Sequence, residues 1–287
     1  MPTIHSILAR LARLSLGCAA LVLLSTIIVG CGGDARDAAD GAATTSPDTA
    51  ATRHVTVAAA SDLKFALDEI VAAFRTVDPS IEVKVSYGSS GNFFSQLSNG
   101  APFDVFLSAD IQYPRNLASA GHADSSSLFH YADGQIVLWA PSGSGVDVKG
   151  KGIEALRSPE IGKIAIANPE HAPYGRAAEA AMKSLGVYDA VKDRLVLGEN
   201  IAQTAQFIES GAADVGIIAL SLAMAPSMRD KGTYWPVPLD AYPRLEQGGI
   251  ILSRAHEPEA AAKLVAYMSG ADGRRVLRSY GFIIPGE

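Results

Sequence analysis

Val57 to Leu67 reads VAAASDLKFAL. An apolar run of strand character stops at Ala60, Ser61 and Asp62 follow, and the spacing then becomes helical, with Leu63, Leu67, Ile70, Val71 and Phe74 recurring on one face up to Asp78-Pro79. A strand that ends at a small hydroxyl residue and turns at once into a helix aims unpaired backbone N–H groups at one spot.

The same join recurs. Ile81–Tyr87, IEVKVSY, alternates as a strand, and Gly88-Ser89-Ser90-Gly91 then starts a short helix. Pro173-Tyr174-Gly175 starts a third helix, ending at Gly186, and GENIAQ (Gly198 to Gln203) a fourth, ending at Gly211. FDVFLSA, QIVLWA, KIAIA, DVGIIAL and GGIILS read as further strands, and EPEAAAKLVAYMSG and DGRRVLRSYG as closing helices. This alternation predicts an α/β fold with mostly parallel sheets, in which ligands sit outside the carboxyl ends of strands. Each helix start offers free N–H groups and roughly half a positive charge. Several converging would hold an anion without lysine or arginine. The plainer reading of any one of them is an ordinary N-cap.

The 287 residues carry a formal charge of −6 and no basic block, which argues against a nucleic-acid partner. The N-terminus has the form of an export signal: Arg10 and Arg13, an apolar run from Leu14 to Gly30, then Cys31. IVGC, Ile28 to Cys31, resembles the lipobox of bacterial lipoproteins, with Cys31 acylated; an uncleaved anchor and ordinary cleavage are the alternatives. Residues 31–53 are rich in Ala, Gly and Asp and read as a flexible tether, so the folded part starts near His54. Loss of residues 1–30 removes two arginines and no acid, taking the charge to −8. The only cysteines are Cys18 and Cys31, which leaves no thiol chemistry in the folded part.

Catalytic patterns are absent. There is no G-x-S-x-G, and the histidines show no H-E-x-x-H or close pairing. His171, in NPEHAPYG, reads as a loop residue bonded to backbone. GVDVKGKG, Gly145 to Gly152, matches G-x-x-x-x-G-K, but Gly152 stands where a P-loop needs Ser or Thr for magnesium, so it reads as a surface turn. A hydrolase would need a nucleophile–base pair that the sequence does not offer.

The segments AAASDLKFALDEI, YGSSGNFFSQLSNGAPFDVFLSAD, IANPEHAPYGRAAEAAM, GENIAQTAQFIESGAADVGIIALS and the terminal YGF resemble the molybdate-binding proteins of bacterial ABC importers, in order from Val55 to Phe282. The resemblance implies a two-lobed, type II periplasmic binding protein fold, mostly parallel sheets flanked by helices with the ligand in the cleft. Lobe 1 would be about 54–133 and 248–287, and lobe 2 about 134–247, with crossings near Ala132-Gly134 and Arg244-Gly249. It implies a binding protein without cofactor or catalytic residue. The protein would be a monomer, lipid-anchored outside the cytoplasm, that hands molybdate, and tungstate too, to a membrane permease. Ser61 and Ser90 would donate hydroxyl and N–H groups from the first lobe, and Tyr174 and Ile201 backbone N–H groups from the second. A tyrosine that donates in some members is Ala219 here. Asp62 stands where one branch has asparagine, so only its main chain can help. A carboxylate about 4 Å from a dianion would cost roughly 8 kcal/mol at an effective dielectric near 20, and the side chain is expected to turn away, capping its own helix. A sulfate or phosphate binder is the alternative within this class.

Overall fold

The computed structural model describes residues 52–287. The leader 1–30, Cys31 and nearly all of the 31–53 segment lie outside the described residues. Ten strands form two five-stranded sheets. The first has the order β2 (Ile81–Gly88), β1 (Arg53–Ala60), β3 (Val105–Ser108), β10 (Leu245–Ile251), β4 (Phe129–Gly134). The second has β7 (Leu195–Gly198), β6 (Ile164–Ala167), β8 (Val215–Ala219), β5 (Ile136–Pro141), β9 (Gly232–Pro236). The result is two lobes of like construction.

The sheets are mixed rather than mostly parallel. In each, two neighbour pairs are parallel and two antiparallel, because one strand is reversed: β10 in the first and β5 in the second. The reason lies in the crossings. β4 runs toward the cleft and continues through Gln135 alone into β5, which must therefore start at the cleft and run away from it. β10 is the strand of return and is reversed for the same cause. Leu245 pairs with Gly134 in the first sheet, so Gly134 and Leu245–Gln247, which the sequence reading gave to the second lobe, hydrogen-bond in the first.

The cleft end of β1, Val57–Ala60, reads as an unbroken apolar run because both its faces are covered. Val55, Val57 and Ala59 pack with Leu67, Ile70 and Phe74 of the helix Lys64–Val77 and with Leu264 and Leu277 of the closing helices. Ala58 faces the other way, toward Phe93, Phe106, Leu117 and Ile250. The second lobe is built round Trp139, Ile164, Ile166, Met182 and Ile217, and Ala60 and Ala109 from the first lobe join that cluster. The floor of the cleft is thus continuous apolar packing. The four helix starts all form. Ser61–Leu63 is a single 3-10 turn before Lys64–Val77, and the others open the helices Ser90–Ser98, Pro173–Ser184 and Ile201–Glu209. Residues 145–147 are irregular and lead into the four-residue helix Val148–Lys151, capped by Asp147. No described helix is long and apolar enough to cross a membrane.

Candidate functional site

The strands β1, β2, β6 and β7 each end at the cleft and pass into a helix start, which brings residues far apart in sequence to one place. Ser61, Asp62, Ser90, Tyr174 and Ile201 all line one cavity of about 10 Å³ between the lobes. No cationic side chain lines it. So small and enclosed a cavity admits a four-oxygen oxyanion only when the lobes part.

Each donor has a local cause. Ser90 is the first residue of its helix, behind the N-cap Ser89, and is 1% exposed. Its Oγ accepts from the Ala109 N–H at 3.0 Å, while its own proton has no acceptor among the described residues. Ser61 Oγ donates to Asn200 Oδ1 at 3.1 Å and accepts from the Ala202 N–H at 3.2 Å, across the cleft. Tyr174 follows Pro173 in the first turn of its helix, and Ile201 opens its helix behind Asn200, whose Oδ1 caps Ala202 and Gln203. First-turn N–H groups have no intrahelical acceptor, so those of Ser90, Tyr174 and Ile201 are available to a ligand. Ala219 is buried at the end of β8 and does not line the cavity.

Asp62 behaves differently from the expectation. Its carboxylate does not cap its own helix. Oδ2 accepts from Tyr174 Oη at 3.0 Å and from Gln247 Nε2 at 2.7 Å, and Gln247 Nε2 also donates to Tyr174 Oη at 2.9 Å. The side chain is spent on β10 and the second lobe. Burial pushes its pKa from 3.8 up to about 6, against the pull of the Gln247 and Tyr174 hydrogen bonds. Tyr174 and Tyr131, which face it, are held well above the ordinary tyrosine value by burial and by the nearby carboxylate.

A carboxyl whose pKa is raised on folding stabilises the fold below its unfolded pKa, and that stabilisation is lost as pH rises through the folded one. Asp62 is therefore expected to cost stability progressively between about pH 4 and pH 6, by about 3 kcal/mol in total at 1.36 per unit. In Asp62→Asn this term vanishes. Thermal melts should show the variant gaining on the wild type from pH 4.5 to pH 7.5 by roughly 4–8 °C, the share of about 2 kcal/mol that falls in that window, with no further gain above pH 7.5; parallel curves would contradict the burial argument.

Other bonds close the cleft. His171 O accepts from the Gly91 N–H at 3.0 Å and from Ser89 Oγ at 2.7 Å, and Ser221 Oγ donates to Asp62 O at 2.8 Å. Arg176 pairs with Asp110 at 2.9 Å. The His171 ring bonds Glu199 O at 2.8 Å, the backbone role the sequence suggested. Sequence reading missed Gln247, a fully buried polar residue in an apolar strand, at a register shift beside Gly248. The run LEQGG carried that signal.

A family model described as bacterial extracellular solute-binding protein matches residues 55–283. The molybdate-binding protein ModA of Azotobacter vinelandii is 37% identical over 228 residues, covering 79% of this chain and 89% of that one. The ModA of Rhodobacter capsulatus is 36% identical over 234 residues, covering 82% and 90%. The solved structure of the Azotobacter vinelandii periplasmic molybdate-binding protein superposes with a TM-score of 0.75 at 32% identity, over 80% of this chain and 99% of that one. With its two-lobed periplasmic binding protein fold and a cleft built of helix starts, the chain belongs to the bacterial extracellular solute-binding proteins, a family of binders and not of enzymes.

Proposed function

We propose that this protein captures molybdate outside the cytoplasm and delivers it to an ABC importer, with Ser61, Ser90, Tyr174 and Ile201 as the ligand's donors and Asp62 contributing main chain alone. The observation that carries this is the cavity itself: hydroxyls and first-turn N–H groups from both lobes, and no cation. A fully deprotonated tetrahedral oxyanion offers only acceptors and mates with donors alone. Hydrogen phosphate brings a proton that needs an acceptor, so a set of donors suits it less well than a ligand with acceptors alone. Neutral donors and helix termini do not depend on the overall charge, which is negative and does not steer anions. The relatives named molybdate-binding support the choice of molybdate. Tungstate, of the same shape and charge, is a second ligand of the same site.

Thermal unfolding with millimolar molybdate, tungstate, sulfate and phosphate tests this. Ligand at a hundred times its Kd adds about 2.7 kcal/mol, or roughly 5–11 °C for a domain of this size. A shift with molybdate and tungstate and none with phosphate is expected; equal shifts with all four would leave a generic anion binder.

In our reading the mature protein is a monomer anchored by lipid at Cys31, with residues 32–53 as its tether, lobe 1 formed by about 54–134 and 245–287, and lobe 2 by the residues between. Support comes from IVGC and from the apolar-poor stretch behind it. Mass spectrometry of the mature N-terminus should find diacylglyceryl on Cys31, and an unmodified start beyond Cys31 would refute the anchor.

A further inference from the structure

Between the two crossings lies a group of side chains that oxyanion binding does not use. Asp62, Tyr174 and Gln247 form a closed ring of three hydrogen bonds, 2.7 to 3.0 Å long, drawn from three elements. Asp62 stands in the turn after β1, in the first lobe. Gln247 stands on β10, three residues into the strand of return. Tyr174 comes from the second lobe and lines the cavity. All three are at most 2% exposed. Gly134, which ends β4 at the other crossing, borders the same ring: a Cβ there would overlap the Tyr174 hydroxyl and lie 2.7 Å from Gln247 Nε2. The Tyr174 hydroxyl therefore reaches between the two strands that join the lobes, into a slot kept open by a glycine.

The bonding is incomplete. Asp62 Oδ1 and Gln247 Oε1 are buried with no hydrogen-bond partner among the described residues. Leaving buried acceptors unpaired is costly, and a group selected only to hold a fold together would be better made of apolar side chains. The ring joins one lobe to the other, and opening the cleft must break it, because Tyr174 moves with the second lobe while Asp62 and Gln247 stay with the first.

We propose that Asp62, Gln247 and Tyr174 are a closure latch, and that Gln247 is a positioning residue which, by holding the Tyr174 hydroxyl, sets the Tyr174 N–H toward the ligand only when the lobes are shut. The proposal rests on the reading of this cleft as the oxyanion site for what the latch serves, and on the ring alone for the latch itself. Access of ligand to the open cleft does not involve the ring, so its loss should leave association unchanged and speed release.

Two variants of the mature protein test it, Tyr174→Phe, which removes one oxygen and keeps the main-chain donor, and Gln247→Leu. Amide hydrogen exchange is read first, without ligand. Exchange in segment 172–176 should speed at least tenfold in Gln247→Leu, although Gln247 belongs to the other lobe, while β6 and β8 keep their rates. Stopped-flow release of molybdate should then speed ten- to a hundredfold in both variants, with association within twofold of wild type. Unchanged exchange at 172–176, acceleration spread through both lobes, or unchanged release from a protein that binds molybdate would each overturn the latch. A wild type that binds no molybdate but shows the exchange effect would refute the ligand assignment and support the latch.

Discussion

Gly91→Ala is expected to weaken molybdate binding about a hundredfold while leaving the lobes folded. Gly91 lies in the first turn of the helix Ser90–Ser98, at a φ any residue can adopt. Within its own lobe alanine is the better helix former, by up to about 1 kcal/mol. Across the cleft the position has no room. A Cβ would sit 2.6 Å from His171 O and 3.0 Å from His171 Cα, both backbone atoms of the second lobe, and 3.0 Å from Tyr113 Oη. The Tyr113 side chain can move, but the His171 backbone can withdraw only by reopening the cleft, which also stretches the Gly91 N–H bond to that carbonyl. A loss of about 2.8 kcal/mol of binding corresponds to that hundredfold at 1.4 per tenfold and lies within the range of overpacking costs. Calorimetry on the variant reads the affinity, and a melt without ligand within a few degrees of wild type shows that the fold is intact. Wild-type affinity in Gly91→Ala would mean that binding does not need the closure seen here.

The second large effect is expected at Ser90. Its Oγ already accepts from the Ala109 N–H, and its proton is uncommitted, so in the bound state it would donate to a ligand oxygen. Ser90→Ala removes a donor from a charged acceptor and leaves the Ala109 N–H unpaired in a buried place. Hydrogen bonds to charged groups contribute roughly 1.5–3 kcal/mol each, so the loss should be about ten- to a hundredfold or more in affinity. Ser61→Ala should also cost more than tenfold, although Ser61 must give up its bond to Asn200 on binding. Asp62→Asn should stay within tenfold at neutral pH, because the carboxylate is buried against Gln247 and Tyr174 and its side chain is committed to them. A hundredfold tightening in Asp62→Asn would show that the carboxylate faces the oxyanion.

The parts of the fold that could be read in the sequence were those fixed by local rules. The four helix starts are set by small polar residues ahead of apolar spacing, and all four lie where the sequence put them. β1, β3, β5, β6 and β8 are buried on both faces or nearly so and read as apolar runs. The strands Phe129–Gly134, Leu195–Gly198 and Gly232–Pro236 escaped notice, and each is at an edge of its sheet, where one neighbour is missing and apolar patterning is weaker. The reversed strand of each sheet follows from the crossings, which no local pattern encodes. At the site, the residues with free donors could be named from the chain, while their partners could not. The carbonyl of His171 meeting Gly91, and the amide of Gln247 joining Asp62 to Tyr174, are contacts between segments 73 to 185 residues apart, made by groups present at every residue or by a side chain common on surfaces.

In the proposed function, a cleft of neutral donors selects a fully deprotonated tetrahedral oxyanion. Titration calorimetry of the mature protein with molybdate, followed by sulfate and hydrogen phosphate at the same pH and salt, tests it most directly. One molybdate per chain is expected, with hydrogen phosphate at least a hundredfold weaker. No heat with molybdate, or hydrogen phosphate binding as tightly as molybdate, would contradict it.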